Sequence, residues 1–225
     1  MDAEMKIPES SVPLNSRMAD CIRQVIREYK SKRIIETGTH YGMGSTTIIA
    51  DTLKEMNAED TIFFSIEVNP DFHKRAVEHI EKKELRDYVH LLHGLSLRRE
   101  QLPTLKTLKK ILPENYVHPA ESLFADTDFP GVVDGLLEYC LIKFDFRPDL
   151  ILLDSGNHLG WLEFQQVINT VKGNYVLILD DTHDLKHARS YEVIKSDPRF
   201  KIIHDGDKER YFVIAEFNPK ENENG

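Results

Sequence analysis

The chain has 225 residues, 40% hydrophobic and 30% charged, enough for one α/β domain with a sizeable core. Its formal net charge is −9 and its Lys and Arg residues are scattered, which argues against a nucleic-acid partner, because affinity for phosphate backbones is largely cationic. Apolar runs such as 150–153 and 175–179 are far too short to cross a bilayer, so no membrane partner is expected, and MDAEMKIPESSVPLNS lacks the basic and apolar segments of a secretory signal.

In chain order, Met18, Cys21, Ile22, Val25 and Ile26 recur at helical spacing and predict a helix over 15–29, capped at Asn15 or Ser16. A short strand over 33–36 enters a glycine segment, and a helix follows over 45–56. TIFFSIE at 61–67 reads as a buried strand; Pro70 introduces a helix over 71–83, and 89–93 is a third strand. Residues 95–147 are less regular. They predict a helix over 98–112 broken near Pro103, a loop with Pro113, Pro119, Pro130 and Gly131, and a helix around 132–140. This stretch is short for an independent core and reads as an insert over the active site. Strands over 149–153 and 175–179 then alternate with helices over 160–171 and 187–195. Two last strands, 201–204 and 211–216, flank Asp205-Gly206-Asp207.

The alternation implies an α/β fold: a Rossmann-like, seven-stranded, mainly parallel sheet with helices on both faces and a C-terminal antiparallel β-hairpin. Residues 1–217 are expected to form a single domain, with 1–30 as an N-terminal helix and lid and 218–225 as a disordered tail. Cys21 and Cys140 lie in apolar helical segments without metal or redox spacing, which favours buried free thiols and a cytoplasmic location.

The segment ETGTHYGMG at 36–44 joins the first strand to a helix beginning near Ser45. Glycines at such a turn permit positive φ and close ligand approach, and the new helix N-terminus offers free N–H groups to an anion. Two patterns fit: the TGxxxGxG turn of short-chain dehydrogenases and the ExGxxxG first motif of class I methyltransferases. The dehydrogenase pattern also finds Tyr191 and Lys195 at Tyr-x-x-x-Lys spacing. Position separates the two. A full helix precedes the turn, only about thirty residues follow Lys195, and no serine stands about a dozen residues before Tyr191. A closing antiparallel hairpin is also foreign to the dinucleotide fold. Glu36 suits a ligand bearing an ammonium and a sulfonium, and would repel a pyrophosphate.

On these motifs the chain resembles the class I S-adenosylmethionine (SAM)-dependent methyltransferases. The resemblance implies a SAM site at Glu36, Gly38, Thr39, Gly42 and Ser45. Glu67, thirty-one residues after Glu36, would accept both ribose hydroxyls, with Val68 and Asn69 flanking the adenine. Gly94 and Ser96 take the place where such enzymes often carry Gly-Asp-Ser, and Asp154 would face the methyl group.

The fourth and fifth strands end in DSGNH at 154–158 and DDTH at 180–183, on the same edge of a parallel sheet. Three carboxylates and two imidazoles converge there, and unpaired charges in that number point to a cation or a positively charged substrate. The two segments resemble the metal-dependent small-molecule O-methyltransferases of the catechol and macrolide-sugar types. That resemblance implies Mg²⁺ held by Asp154, Asp180 and Asp181. Gly156 stands where the sugar-type enzymes carry a further Asp as base, leaving His158 and His183 as candidates for that role, since imidazole titrates near neutral pH. Trp161, Phe129, Phe144 and Tyr116 are candidate acceptor contacts.

The expected function is SAM-dependent O-methylation of a small-molecule or sugar hydroxyl, assisted by Mg²⁺. The alternatives are an NAD(P)-dependent short-chain-type oxidoreductase and a non-catalytic methyltransferase-like binding module. A homodimer is common among the look-alike enzymes.

Overall fold

The computed structural model describes residues 11–113, 116, 118–156 and 158–219. The first helix, α1 (Arg17–Tyr29), starts at Ser16, whose hydroxyl accepts from the Ala19 amide, and stops at Lys30 in the left-handed conformation. Its predicted apolar stripe is buried against α2 (Ser45–Glu55), which follows β1 (Arg33–Thr37). Next come β2 (Ile62–Glu67), α3 (Pro70–Lys82) and β3 (His90–His93). Asn69 caps α3, accepting from the Asp71 and Phe72 amides, with Pro70 in the first turn.

The stretch after β3 contains α4 (Leu105–Ile111), α5 (Ala120–Ala125) and α6 (Leu136–Lys143). The break expected near Pro103 in the 98–112 helix is present: a single turn, Arg99–Gln101, precedes it and α4 follows. α5 was hidden among prolines and packs with α4 in a small apolar cluster around Leu108, Ala120 and Leu123. α6 instead joins the main core, with Leu137, Cys140 and Leu141 against the sheet.

The second half supplies β4 (Leu150–Leu153), α7 (Gly160–Thr170), β5 (Tyr175–Asp180), α8 (Ala188–Ser196), β6 (Phe200–Asp207) and β7 (Arg210–Phe217). The sheet order is β3-β2-β1-β4-β5-β7-β6; only β7 runs against its neighbours. The Asp205-Gly206-Asp207 segment is strand rather than turn, because the β6–β7 ladder continues through irregularities to Asp207–Arg210. A Cβ at Gly206 would come within 2.3 Å of the Arg210 carbonyl, so the close strand approach there requires glycine.

Side-chain alternation divides the core into two layers. Ile34, Leu150, Leu152, Val176, Ile178 and Ile214 face α1 and α2, while Ile35, Ile151, Leu153, Leu177, Leu179 and Val213 face α6, α7 and α8. Cys21 and Cys140 are buried free thiols. Among the described residues no helix is long and apolar enough to cross a membrane. The strand order reverses between β1 and β4, the place where open parallel sheets bind ligands beyond their carboxyl ends.

Candidate active site

A cavity of about 340 Å³ opens at this reversal, within the range of small-molecule sites. The β1–α2 turn forms one wall with Gly38, Thr39, Gly44 and Ser45. Gly38 has φ +85°, and a Cβ there would sit 2.2 Å from the Asp154 carbonyl oxygen. This glycine is therefore demanded by the packing of the turn against the end of β4 as well as by its φ. Gly42 (φ +68°) does not line the cavity; it lets the turn close on Ala76 of α3.

Glu67 ends β2 and lines the cavity. Its carboxylate accepts from the His40 amide at 2.6 Å and the Asn69 amide at 2.8 Å. Burial pushes its pKa up to about 7 against the opposing pull of those amides. Val68, Asn69, Phe72 and His40 line the cavity beside it. Glu36 lies one layer back: it is fully buried, does not line the cavity, and accepts from Thr46 at 2.6 Å and Ser65 at 2.5 Å on one oxygen. Burial raises its pKa, and its other oxygen has no partner among the described residues. Gly94 and Ser96 follow β3 and line the cavity, with the Ser96 side chain buried.

Beyond β4 and β5 the predicted aspartates come together, with one oxygen of each within 4.8 Å of the others. They are already paired with cations supplied by the chain. Lys186, on the loop after β5, bonds Asp154 and reaches Asp181 at 3.0 Å. Arg210 of β7 grips both oxygens of Asp180, whose side chain is 1% exposed. Burial alone would lower the Lys186 pKa, but Asp154, Asp181 and Asp180 outweigh it and raise it. The same ammonium holds the Asp181 carboxyl below its ordinary value against the effect of burial.

This donor set does not fit the expected Mg²⁺. Both oxygens of Asp180 and one each of Asp154 and Asp181 already receive N–H bonds, so a divalent ion at the three would compete with Arg210 and meet the ammonium between two of its ligands. The sequence pointed to a bound cation or a positively charged substrate; in the structure Lys186 and Arg210 supply counter-charge from within the chain.

The two candidate bases are not brought to the cavity. His158 is buried with its pKa pushed down to about 4 by desolvation, and its Nδ1 has no partner among the described residues. His183 packs on the Tyr211 ring, 4.3 Å between centroids. Neither lines the cavity, nor do Trp161, Phe129, Phe144 or Tyr116. Tyr116 donates instead to Asp184 at 3.1 Å. From the 95–147 stretch, Leu95, Asp126 and Thr127 reach the cavity beside Gly94 and Ser96, and Ser11 and Val12 reach it from the N-terminal side.

Besides Lys186 and Arg210, sequence reasoning missed Glu163 of α7. It is fully buried behind the cavity, accepts from Thr37 at 2.9 Å, and has its pKa raised by burial against the Ser96, Ser155 and Thr37 hydroxyls. A lysine six residues after Asp180, at the same sheet edge, was the available signal for Lys186. Arg210 carried none, because only the strand pairing sets it against Asp180.

No family model and no curated protein matches the chain in sequence. Solved structures do match in three dimensions. An O-methyltransferase from Bacillus cereus in complex with SAH has a TM-score of 0.58 at 18% identity, over 94% of this chain and 84% of its own. TomG, an O-methyltransferase from Streptomyces achromogenes involved in tomaymycin synthesis and solved with SAM, gives 0.57 at 15% identity, over 94% and 83%. The SAH-bound methyltransferase PaMTH1 from Podospora anserina gives 0.52 at 14% identity, over 91% and 79%. The chain shares the Rossmann-like fold of these methyltransferases. Within it the dehydrogenase-like pair is a surface feature: Tyr191 donates to Asp205 at 2.6 Å, Lys195 pairs with Glu192, and neither lines the cavity.

Proposed function

We propose that the chain is a SAM-dependent O-methyltransferase acting on the hydroxyl of a small molecule. The observation that carries this reading is one cavity shared by Glu67 at the end of β2 and Asp154 at the end of β4. At one end, Glu67 is a carboxylate oriented by two backbone amides, suited to accept from a vicinal diol. At the other, the trio, Lys186 and Arg210 carry a net charge of about −1, suited to a sulfonium. The Gly44 and Ser45 amides at the start of α2 line the cavity and are donors available to the rest of a nucleoside.

SAM supplies an electrophilic methyl group on a sulfonium, whose departure leaves a neutral thioether. The protein's part is to orient and to exclude water. Glu67 and the turn at Gly38 and Thr39 fix the nucleoside end, and Asp154 and Lys186 border the place left for the acceptor. Magnesium assistance is not part of this proposal, since the carboxylates that would hold the ion are paired within the chain.

A thermal-shift comparison tests the reading. S-Adenosylhomocysteine (SAH) at about 100 times its Kd stabilises a binding protein by about 2.7 kcal/mol, whereas NADH and NADPH leave it unchanged. Stabilisation by NADH but not by SAH would replace the proposal with the oxidoreductase alternative. Glu67→Ala checks the site, because the SAH shift must shrink with it.

A further inference from the structure

We propose that Lys186 is the resident cation of the acceptor site: it excludes a divalent metal and offers its remaining N–H to the acceptor oxygen. This rests on the methyltransferase reading and goes beyond it in naming how the acceptor is held. An ammonium has three N–H donors. Asp154 and Asp181 take two, and Lys186 lines the cavity that the acceptor must enter.

The lysine is built in rather than draped over the site. Its side chain is 6% exposed. The first residue of α7 packs directly on it: a Cβ at Gly160 would lie 2.5 Å from the Lys186 carbonyl and 2.7 Å from its Cγ. On the other side, the buried His187 ring bonds the Leu153 carbonyl at 3.1 Å and ties residues 186–187 to the end of β4, next to Asp154. A long, flexible stem is thereby held from two directions, so little conformational freedom remains to be lost when the acceptor binds.

The chemistry balances without a metal. The acceptor oxygen forms a bond to the methyl carbon as the carbon–sulfur bond breaks, with its electron pair going to sulfur. The acceptor's proton passes to Asp181, the most exposed carboxylate of the trio, and from there to solvent. Lys186 donates to the oxygen as its proton leaves and stabilises the negative charge that the new carbon–oxygen bond then consumes. A divalent ion can chelate two neighbouring oxygens, whereas one free N–H binds one. The acceptor class that follows is a molecule presenting a single hydroxyl or phenol, with no requirement for a chelating pair.

The test is direct metal binding, read by Mn²⁺ electron paramagnetic resonance and calorimetry with Mg²⁺ as competitor, in SAH and without it. The wild-type protein is expected to bind no stoichiometric Mn²⁺, and Lys186→Arg behaves the same. Lys186→Met, which keeps the stem and removes the charge, is expected to bind one Mn²⁺ per chain, on the order of 100-fold tighter than wild type, because it leaves carboxylates facing the cavity without their counter-ion. Asp181→Ala in that background abolishes the gain. One Mn²⁺ per wild-type chain, lost on Asp181→Ala, overturns the proposal, as does a folded Lys186→Met protein that takes up none. Circular dichroism establishes folding, and the wild-type measurement decides by itself if the variant does not fold. Failure of wild type to bind SAH removes the methyltransferase reading and leaves the metal result standing separately.

Discussion

The two ends of the cavity hold their carboxylates by different means. On the side of β1 and β2, Glu67 and Glu36 are held by neutral donors, the amides of His40 and Asn69 and the hydroxyls of Thr46 and Ser65. On the side of β4 and β5, Asp154, Asp180 and Asp181 are held by full cations, Lys186 and Arg210. Neutral donors orient a carboxylate without cancelling its charge, so Glu67 stays available to a ligand and sensitive to burial. Cations offset most of the charge and fix the geometry, so the aspartate cluster becomes a scaffold that presents one ammonium. One end is arranged to recognise a ligand's hydroxyls and the other to supply a positive group.

The largest effect expected from this difference is in stability. Asp180→Ala leaves the guanidinium of Arg210 without its bidentate partner and should destabilise the fold by about 3–5 kcal/mol in urea unfolding. The double variant with Arg210→Met should recover much of the loss. Equal losses in the single and double variants would mean that Asp180 is not held by charge. Gly38→Ala joins the two ends mechanically: it forces a left-handed alanine and a clash with the Asp154 carbonyl, and should cost about 2–4 kcal/mol. If that variant melts with the wild type, the contact between the turn and β4 is looser than 2.2 Å implies.

The neutral end was legible in sequence and the charged end only in part. Gly38 and Ser96 follow a strand within a few residues and Glu67 ends one, so local order alone places them at one edge. Asp154, Asp180 and Asp181 were found by the same logic, and the need for a counter-charge followed from their number. What the counter-charge is could not be read. Lys186 depends on how the loop after β5 folds back over Gly160, and Arg210 depends on the antiparallel register of β5 with β7. α5 was hidden because the prolines around it read as loop, and the turn of the last hairpin was misplaced because Gly206 marks a close strand contact. For Lys186 and Arg210 the deciding contact is between residues distant in sequence.

Weaker effects probe the neutral end alone. Glu67→Ala should lower SAH affinity about 10- to 100-fold in calorimetry, the loss of hydrogen bonds to a charged acceptor, with no change in Mn²⁺ binding. Loss of less than twofold would move the ribose elsewhere in the cavity.

The smallest effect is a pH dependence, and only the part that Glu67→Gln removes belongs to the neutral end, because burial also pushes the Asp154 carboxyl up to about 7 against the pull of Lys186. In the free protein the Glu67 carboxyl titrates at about 7, against 4.5 ordinarily, because burial disfavours its ionised form. The proton is then held more tightly in the folded chain than in the unfolded one. Glu67's contribution to stability is fully present below about 4.5 and is lost as pH rises through 7. A ligand whose hydroxyls donate to the carboxylate selects the ionised form, so binding releases a proton below pH 7. SAH affinity should therefore rise about tenfold per pH unit as pH approaches 7 from below, and level off above it. Glu67→Gln should flatten that slope, and calorimetry in buffers of different ionisation enthalpy counts the proton directly. A slope that survives Glu67→Gln would move the titrating group, and with it the recognition of the ribose, away from the end of β2.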